Sequence, residues 1–253
     1  IPQTALGGIC SLADKFDNIV SYFKIGKFPK GSWDLYALRR QAIGIISILI
    51  KMDVALSLSQ VFDHIYMASP GASDKKKLKE MLLDFFKERF ISFVKERFSY
   101  RYDLIDAVVT GGIIDNVQSC FLKLESLNSI IDEPYFENAR CVVERTYNIV
   151  KSSKSAAGDI KASLLKEPQE HRLHDKLKEV REDFKQLCAE KRYGEATKLY
   201  AETFSDETHE FFDKVMVNVN DRSLKNNRIA LLEAINKLYV EQIADLSKVV
   251  VQT

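Results

Sequence analysis

The sequence predicts an all-α protein, and three observations carry that reading. Apolar residues recur at spacings of three and four along almost the whole 253-residue chain, the period of helices with one buried face. No alternating apolar–polar run persists long enough to make a sheet. Only ten glycines and five prolines interrupt the chain, so breakpoints are few.

The elements follow in order. The first helix runs from about Thr4 to Phe23. A second starts near Asp34, with Ser32 or Asp34 as its N-cap, and ends near Met52. A third covers roughly Leu58 to Ala68, and the turn Ser69 to Asp74 breaks the chain. A long helix then carries Leu78, Met81, Leu82, Phe85, Phe86, Phe90, Phe93, Val94 and Phe98 on one apolar face, through about Arg97. A short helix near Tyr102 to Val109 ends at Gly111-Gly112. The next, Ile113 to about Ile130, turns Val117, Cys120, Phe121, Leu124 and Leu127 inward. Asp132-Glu133-Pro134 starts a helix, with Pro at its favoured early position, that ends near Ser153. Ser152 to His171, rich in Ser, Ala and Lys, reads as a mobile connection. Four helical pieces complete the chain: Gln169 to Lys191, Tyr193 to Phe204, Thr208 to Val217 and Ser223 to Val250.

Composition bounds the function. An apolar fraction of 46%, with fifteen Phe and ten Tyr, supports a substantial core. Lys and Arg total 37 against 36 Asp and Glu, so any nucleic-acid surface has to be a local patch. Cys10, Cys120, Cys141 and Cys188 are scattered, which suits the reducing cytosol and offers no zinc spacing. His171 and His174 lack a third ligand. No apolar run reaches the ~18 residues of a membrane span, so no membrane partner is expected. Because the chain opens at Ile1 inside a helix entry, a fragment of a longer protein is expected.

Local charge is uneven. Lys15 to Lys51 holds seven cations, among them Lys27, Lys30, Arg39 and Arg40, against Asp17 and Asp34. Arg39 has the planar donors that fork onto phosphate, but Asp14, Asp17 or Asp34 could equally pair with it or with Arg40. Lys75, Lys76, Lys77 and Lys79 open the long helix against its dipole, which points to a solvated face or an anionic partner. Arg140, Arg145, Asn148, Lys151 and Lys154 follow one another at spacings of three to five around Tyr147. Such residues hold and stack unpaired RNA, although an ordinary surface helix fits the pattern as well. No catalytic constellation, phosphate loop or metal cluster stands out. An RNA-binding module and a helical scaffold for protein partners both remain open.

Three segments carry a resemblance. The first is Ser11 to Ile46, with Leu12-Ala13-Asp14-Lys15 and Asp17, the turn residues Gly26, Pro29, Gly31 and Ser32, Asp34, and Ala37-Leu38-Arg39-Arg40. The second is RTYNIVK, Arg145 to Lys151, and the third is FFDKVMVNVNDRSLKNNRIALL, Phe211 to Leu232. Together they resemble the β subunit of bacterial glycyl-tRNA synthetase over essentially the whole chain. Two departures stand out: Asp34-Leu35-Tyr36 replaces the family's D-P-F, and Lys225 stands where the family usually carries Arg, losing a bidentate fork.

The resemblance implies the rest. Residues 1–72 would close an HD-like helical region, with Asp14 at its last metal position. The upstream ligands are missing, so no metal is expected. Residues 73–133 would be a helical linker and 134–253 a DALR-type anticodon-binding domain. The chain would be the non-catalytic, tRNA-recognising part of a glycine–tRNA ligase. ATP and Mg would act at the site of an alpha subunit, in a cytoplasmic assembly of two alpha and two beta subunits. The partner would be glycine tRNA rather than DNA. Glycine codons are GGN, so every glycine anticodon ends in two cytosines. Expected tRNA contacts are Lys27, Lys30, Arg39, Arg40, Arg140, Arg145, Asn148, Lys151, Asn226 and Asn227. Arg228 is expected to be structural, paired with Asp213 in the same compact motif.

Overall fold

The computed structural model describes residues 2–29, 31, 33–68, 74–111, 114–153 and 158–250. Ten α-helices lie in this part of the chain: α1 Ala5–Lys24, α2 Leu38–Lys51, α3 Leu58–Ala68, α4 Lys75–Arg97, α5 Tyr102–Gly111, α6 Val117–Ser129, α7 Pro134–Ser152, α8 Pro168–Ala189, α9 Tyr193–Lys214 and α10 Arg222–Val240. Short 3-10 turns occupy Ala162–Leu164 and Leu246–Lys248. An isolated bridge joins Ser57 and Asn116. No described helix is long and apolar enough to cross a membrane.

Contacts divide the chain into two compact units, Ile1–Tyr102 with Ile113–Leu122, and Asp103–Gly112 with Lys123–Thr253. Both units draw on residues 73–133. The turn at Ser69–Asp74 lies outside the described residues except for Asp74, as do Gly112 and Ile113.

In the first unit the Thr4 hydroxyl caps α1 by accepting from the Gly7 amide. Phe16, Ile19, Val20 and Phe23 of α1 are buried, as are Leu38, Ala42, Ile45, Ile46 and Leu49 of α2. Gly8 lets the helices close up, since a Cβ there would come within 2.4 Å of the Met52 sulfur. Helix α2 begins four residues later than expected. Asp34 does not start it; its carboxylate accepts from the amides of Leu38 (2.7 Å) and Arg39 (3.1 Å) across a turn. Ala37 bridges the gap with φ of 55°. Ser32 lies outside the described residues. Asp115 caps α3 from a distant segment, accepting from the Ser59 amide (2.7 Å) and the Ser57 hydroxyl (2.6 Å).

The lysine run at the start of α4 meets an intrachain anion. Lys75 and Lys79 lie 2.8 and 2.5 Å from the two oxygens of Asp63 on α3. Hydrogen bonds from these lysines hold the Asp63 carboxyl below its ordinary pKa. The Asp74 side chain caps the helix by accepting from Lys76 and Lys77 amides.

The second unit is built on α7, α8, α9 and α10. Its centre is aromatic, with the rings of Tyr200 and Tyr239 4.8 Å apart and Phe184 6.0 Å from each. The polar ends of both tyrosines find partners, as buried hydroxyls require. Tyr200 donates to the Ile235 carbonyl at 3.1 Å, and the Tyr239 hydroxyl lies 2.8 Å from that of Thr197. Asn236 donates from α10 to Val143 O and Thr146 Oγ1 of α7, both at 3.0 Å.

Two helix boundaries differ from expectation. Residues 193–217 form no pair of pieces, because α9 runs unbroken to Lys214. Ser205-Asp206-Glu207 contains neither Gly nor Pro, and burial of Phe204, Thr208 and Phe211 continues one face through it. Helix α10 stops at Val240 rather than Val250. Beyond it the Asp245 amide donates to Ala107 O (3.0 Å) and the Val250 amide to Asp103 Oδ2 (2.8 Å), so tertiary hydrogen bonds replace helical ones. Part of the expected mobile connection has regular structure. Residues 154–157 lie outside the described residues, but the 3-10 turn Ala162–Leu164 follows and α8 starts at Pro168.

Tyr239 tests what holds this centre together. Tyr239→Phe removes one hydrogen bond and should cost about 1 kcal/mol. Tyr239→Ala opens a cavity and should cost about 3–5 kcal/mol. Equal losses for the two variants in urea denaturation would show that the hydroxyl, and not the packing, dominates.

Candidate nucleic-acid interface

Helix α7 buries Phe136, Ala139, Arg140, Val142, Val143 and Thr146 and carries its other charged and amide residues on the opposite side. Its polar residues divide by how the fold engages them. Arg140 is buried, and its donors are taken by its own helix. Nε and Nη2 lie 2.8 and 2.7 Å from Glu137, and Nη1 lies 2.7 Å from Glu144. Its hydrogen bond to Glu137 pushes the Arg140 pKa further up, and the same bond draws the Glu137 carboxyl down. Arg140, an expected tRNA contact, is thus paired within its own helix. The spacing of Glu137, Arg140 and Glu144, three then four, carries that signal in the sequence.

Arg145 is held differently. Its Nη1 donates to His209 Nδ1 at 3.1 Å, and its guanidinium sits 4.7 Å from the Phe212 ring centre. Both partners belong to α9 and orient the side chain while leaving further donors available. Asn148 and Lys151 are exposed, one and nearly two turns on, and Lys151 Nζ lies 5.4 Å from the Tyr147 ring. Arg145, Asn148 and Lys151 thus form an outward-facing row. Lys154 lies outside the described residues.

At the start of α10 the structure corrects two expectations. Asp213 does not pair with Arg228; it faces His209 Nε2 at 3.4 Å. Arg228 Nε instead donates to Glu170 Oε1 at 2.8 Å, and Nη1 to Met216 O at 2.8 Å. Asn227 is buried rather than presented to solvent. Its Oδ1 accepts from the Lys161 amide (2.7 Å) and its Nδ2 donates to the Lys161 carbonyl (3.2 Å), a backbone clamp that removes it from the RNA set. Asn226 is half-exposed and lines a cleft of about 560 Å³ with Ser163 and Ser223.

Glu170 is fully buried, and its Oε2 also accepts the amides of Lys166 and Glu167, both at 2.7 Å. Burial alone would raise its pKa. The Arg228 hydrogen bond and the two amides outweigh that and hold it below the ordinary 4.5.

In the first unit Lys27 and Arg40 are exposed. Arg39 is half-buried and donates to Gly31 O at 2.5 Å, so it braces the turn before α2. Lys30 lies outside the described residues. Trp33 and Leu35, both about three-quarters exposed, share a small cleft with Lys27. Among the described residues no group of three or more His, Cys, Asp or Glu side chains could hold a metal. A cleft along α8 and α10 has no counterpart in the sequence reading, because its wall at 158–160 falls in the segment expected to be a loose connection.

Comparisons with known proteins agree along the chain. Residues 1–110 match the family described as glycyl-tRNA synthetase beta subunit, and residues 141–243 match the DALR anticodon binding domain. The chain is 36% identical over 251 residues to a glycine–tRNA ligase beta subunit of Clostridioides difficile, covering 99% of this chain and 36% of that one. It is 34% identical over 253 residues to the one from Sulfurihydrogenibium sp., covering 99% and 34%. With the beta subunit of Desulforudis audaxviator it shares 34% over 251 residues, 98% of this chain and 36% of the relative. The chain spans about a third of the length of the curated relatives it matches.

The Arg228–Glu170 pair sets two expectations. Arg228→Ala strands a buried carboxylate and should cost about 3–5 kcal/mol in stability. A melting curve matching the parent would remove the pair from its structural role. Glu170 has a lowered folded pKa, so its contribution is present above pH 4.5 and disappears as pH falls through the folded value. The stability gap between the parent and Glu170→Gln should therefore be widest above about pH 5 and close in acid. A gap independent of pH in urea titrations would contradict this.

Proposed function

Because the chain belongs to the glycyl-tRNA synthetase beta-subunit family and carries a DALR anticodon-binding domain, we propose that it is the tRNA-recognition part of a glycine–tRNA ligase. The observation that carries this reading is the outward-facing row of Arg145, Asn148 and Lys151 inside the DALR match, with Arg145 oriented by His209 and Phe212 of α9. Arg145 and Lys151 supply charge for phosphate oxygens. Asn148 carries an amide suited to a base edge. Lys27 and Arg40 of the first unit, with Asn226, supply further contacts to the same RNA.

In this reading the chain brings no chemistry of its own. Aminoacylation takes place on an alpha subunit, where ATP and Mg²⁺ act, within a cytoplasmic assembly of two alpha and two beta subunits. The task left to this chain is to hold glycine tRNA by its anticodon region, whose invariant feature is the cytosine pair.

Replacing Arg145, Asn148 and Lys151 together with Ala should weaken binding of glycine tRNA and leave helix content unchanged. Two lost phosphate contacts should flatten the log–log salt dependence by roughly 1.5 to 2 units. Unchanged affinity and slope in filter binding across a salt series would exclude this face.

A further inference from the structure

Arg145 takes its direction from another helix, and the group that sets it is titratable. His209 of α9 is exposed, and its two ring nitrogens face opposite charges. Arg145 Nη1 lies 3.1 Å from Nδ1, and Asp213 Oδ2 lies 3.4 Å from Nε2. An arginine only donates and a carboxylate only accepts. Nδ1 is therefore the acceptor and Nε2 carries the proton. The two neighbours select the same tautomer of a neutral ring.

Phe212, one turn along α9 from His209, completes the holder, with its ring centre 4.7 Å from the guanidinium. One hydrogen bond and one ring face fix the side chain and leave its remaining donors for other partners. An arginine held in advance loses less rotamer freedom on meeting RNA than a free one.

A second proton on the ring undoes this arrangement. It has to go onto Nδ1, the nitrogen that Arg145 uses, because Nε2 is already protonated. The acceptor disappears, and an imidazolium then faces a guanidinium across 3.1 Å. The contact with Asp213 survives, since Nε2 keeps its proton. The charges around the ring are otherwise committed or distant from Nδ1. Asp206 is exposed one turn before His209 on α9. Glu207 and Glu210 of α9 are met by Arg172 of α8, and Glu210 also by Lys214. On α7, Glu144 beside Arg145 is held by Arg140.

We propose that His209 is a positioning residue for Arg145: its neutral ring holds the guanidinium ready for RNA, and a proton on Nδ1 releases it. The share of tRNA affinity that Arg145 contributes therefore depends on pH. The proposal rests on the tRNA-binding reading above and adds a residue that acts through another and the proton that controls it.

The test measures binding of glycine tRNA to the full chain at about pH 8 and about pH 5.5, on either side of the range in which imidazoles take up a proton. The readout is the ratio of affinities with and without Arg145→Ala, in which general effects of pH on RNA binding cancel. In the parent that ratio should be about two- to tenfold larger at the higher pH, the rotamer cost of immobilising one long side chain. His209→Asn keeps an acceptor near the position of Nδ1 and does not titrate. It should bind like the parent at the higher pH and make the ratio the same at both. His209→Ala should weaken binding by a similar factor when Arg145 is present and add nothing to Arg145→Ala. A ratio that does not change with pH in the parent would overturn the proposal. So would a loss from His209→Ala that is equal with and without Arg145, the result expected if His209 touches the RNA itself. Arg145→Ala without effect at either pH would overturn the proposal while Asn148 and Lys151 still carry the tRNA-binding reading. A parent that binds no tRNA would overturn both.

Discussion

The second unit depends on one buried ion pair. Taking a guanidinium and a carboxylate out of water is costly unless every donor and acceptor is met. Arg228 and Glu170 meet that condition by engaging more than each other. Glu170 closes the first turn of α8 through the Lys166 and Glu167 amides, and Arg228 reaches the Met216 carbonyl beyond α9. The entry to α8, the exit from α9 and the first turns of α10 are thereby tied at one point. Asn227, next in the chain, extends the tie to Lys161. The walls of the cleft on this unit follow from these four attachments. Such a pair is weak evidence for net stability, since an apolar replacement of both partners can be as stable. Its effect is to fix which segments meet.

The same logic separates cations that hold the fold from cations that face outward. Arg140 is closed off by Glu137 and Glu144, and Lys75 and Lys79 by Asp63. Arg39 bonds a backbone carbonyl. Arg145 is steadied by a histidine and an aromatic ring, neither of which cancels its charge at neutral pH. Lys151, Lys178 and Arg181 face no acid within ion-pair distance among the described residues. A near-neutral chain can therefore still present cationic surface, because many of its carboxylates are already matched within the fold.

Much of the helical architecture was legible in the sequence, because helix period and capping residues are local. Thr4, Asp74, Pro134 and the inward stripe of α6 fall where spacing places them. The failures share a cause. Asp34 caps from four residues before Leu38, α10 ends where Ala107 and Asp103 take over its hydrogen bonds, and α9 continues because tertiary burial outweighs a polar stretch. Arg228 has a carboxylate fifteen residues away at Asp213, yet it selects one fifty-eight residues away. Nothing in local spacing separates the two; only the packing of α8 on α10 does. Arg140 is the exception, since both of its partners lie within one turn in the sequence. The cleft along α8 and α10 was not legible, because two of its three walls meet only in the folded unit.

The claim that Arg228 and Glu170 act as one unit is open to a direct measurement, a double-mutant cycle of Arg228→Leu and Glu170→Gln followed by urea denaturation at pH 7. Gln keeps the acceptor that the Lys166 and Glu167 amides need, so the cycle isolates the charge pairing. If the account holds, Arg228→Leu alone is the most damaging change, because it leaves an ionised carboxylate buried. Adding Glu170→Gln then recovers stability, with a coupling of about 2 kcal/mol or more. Effects that add to within about 0.5 kcal/mol would contradict it.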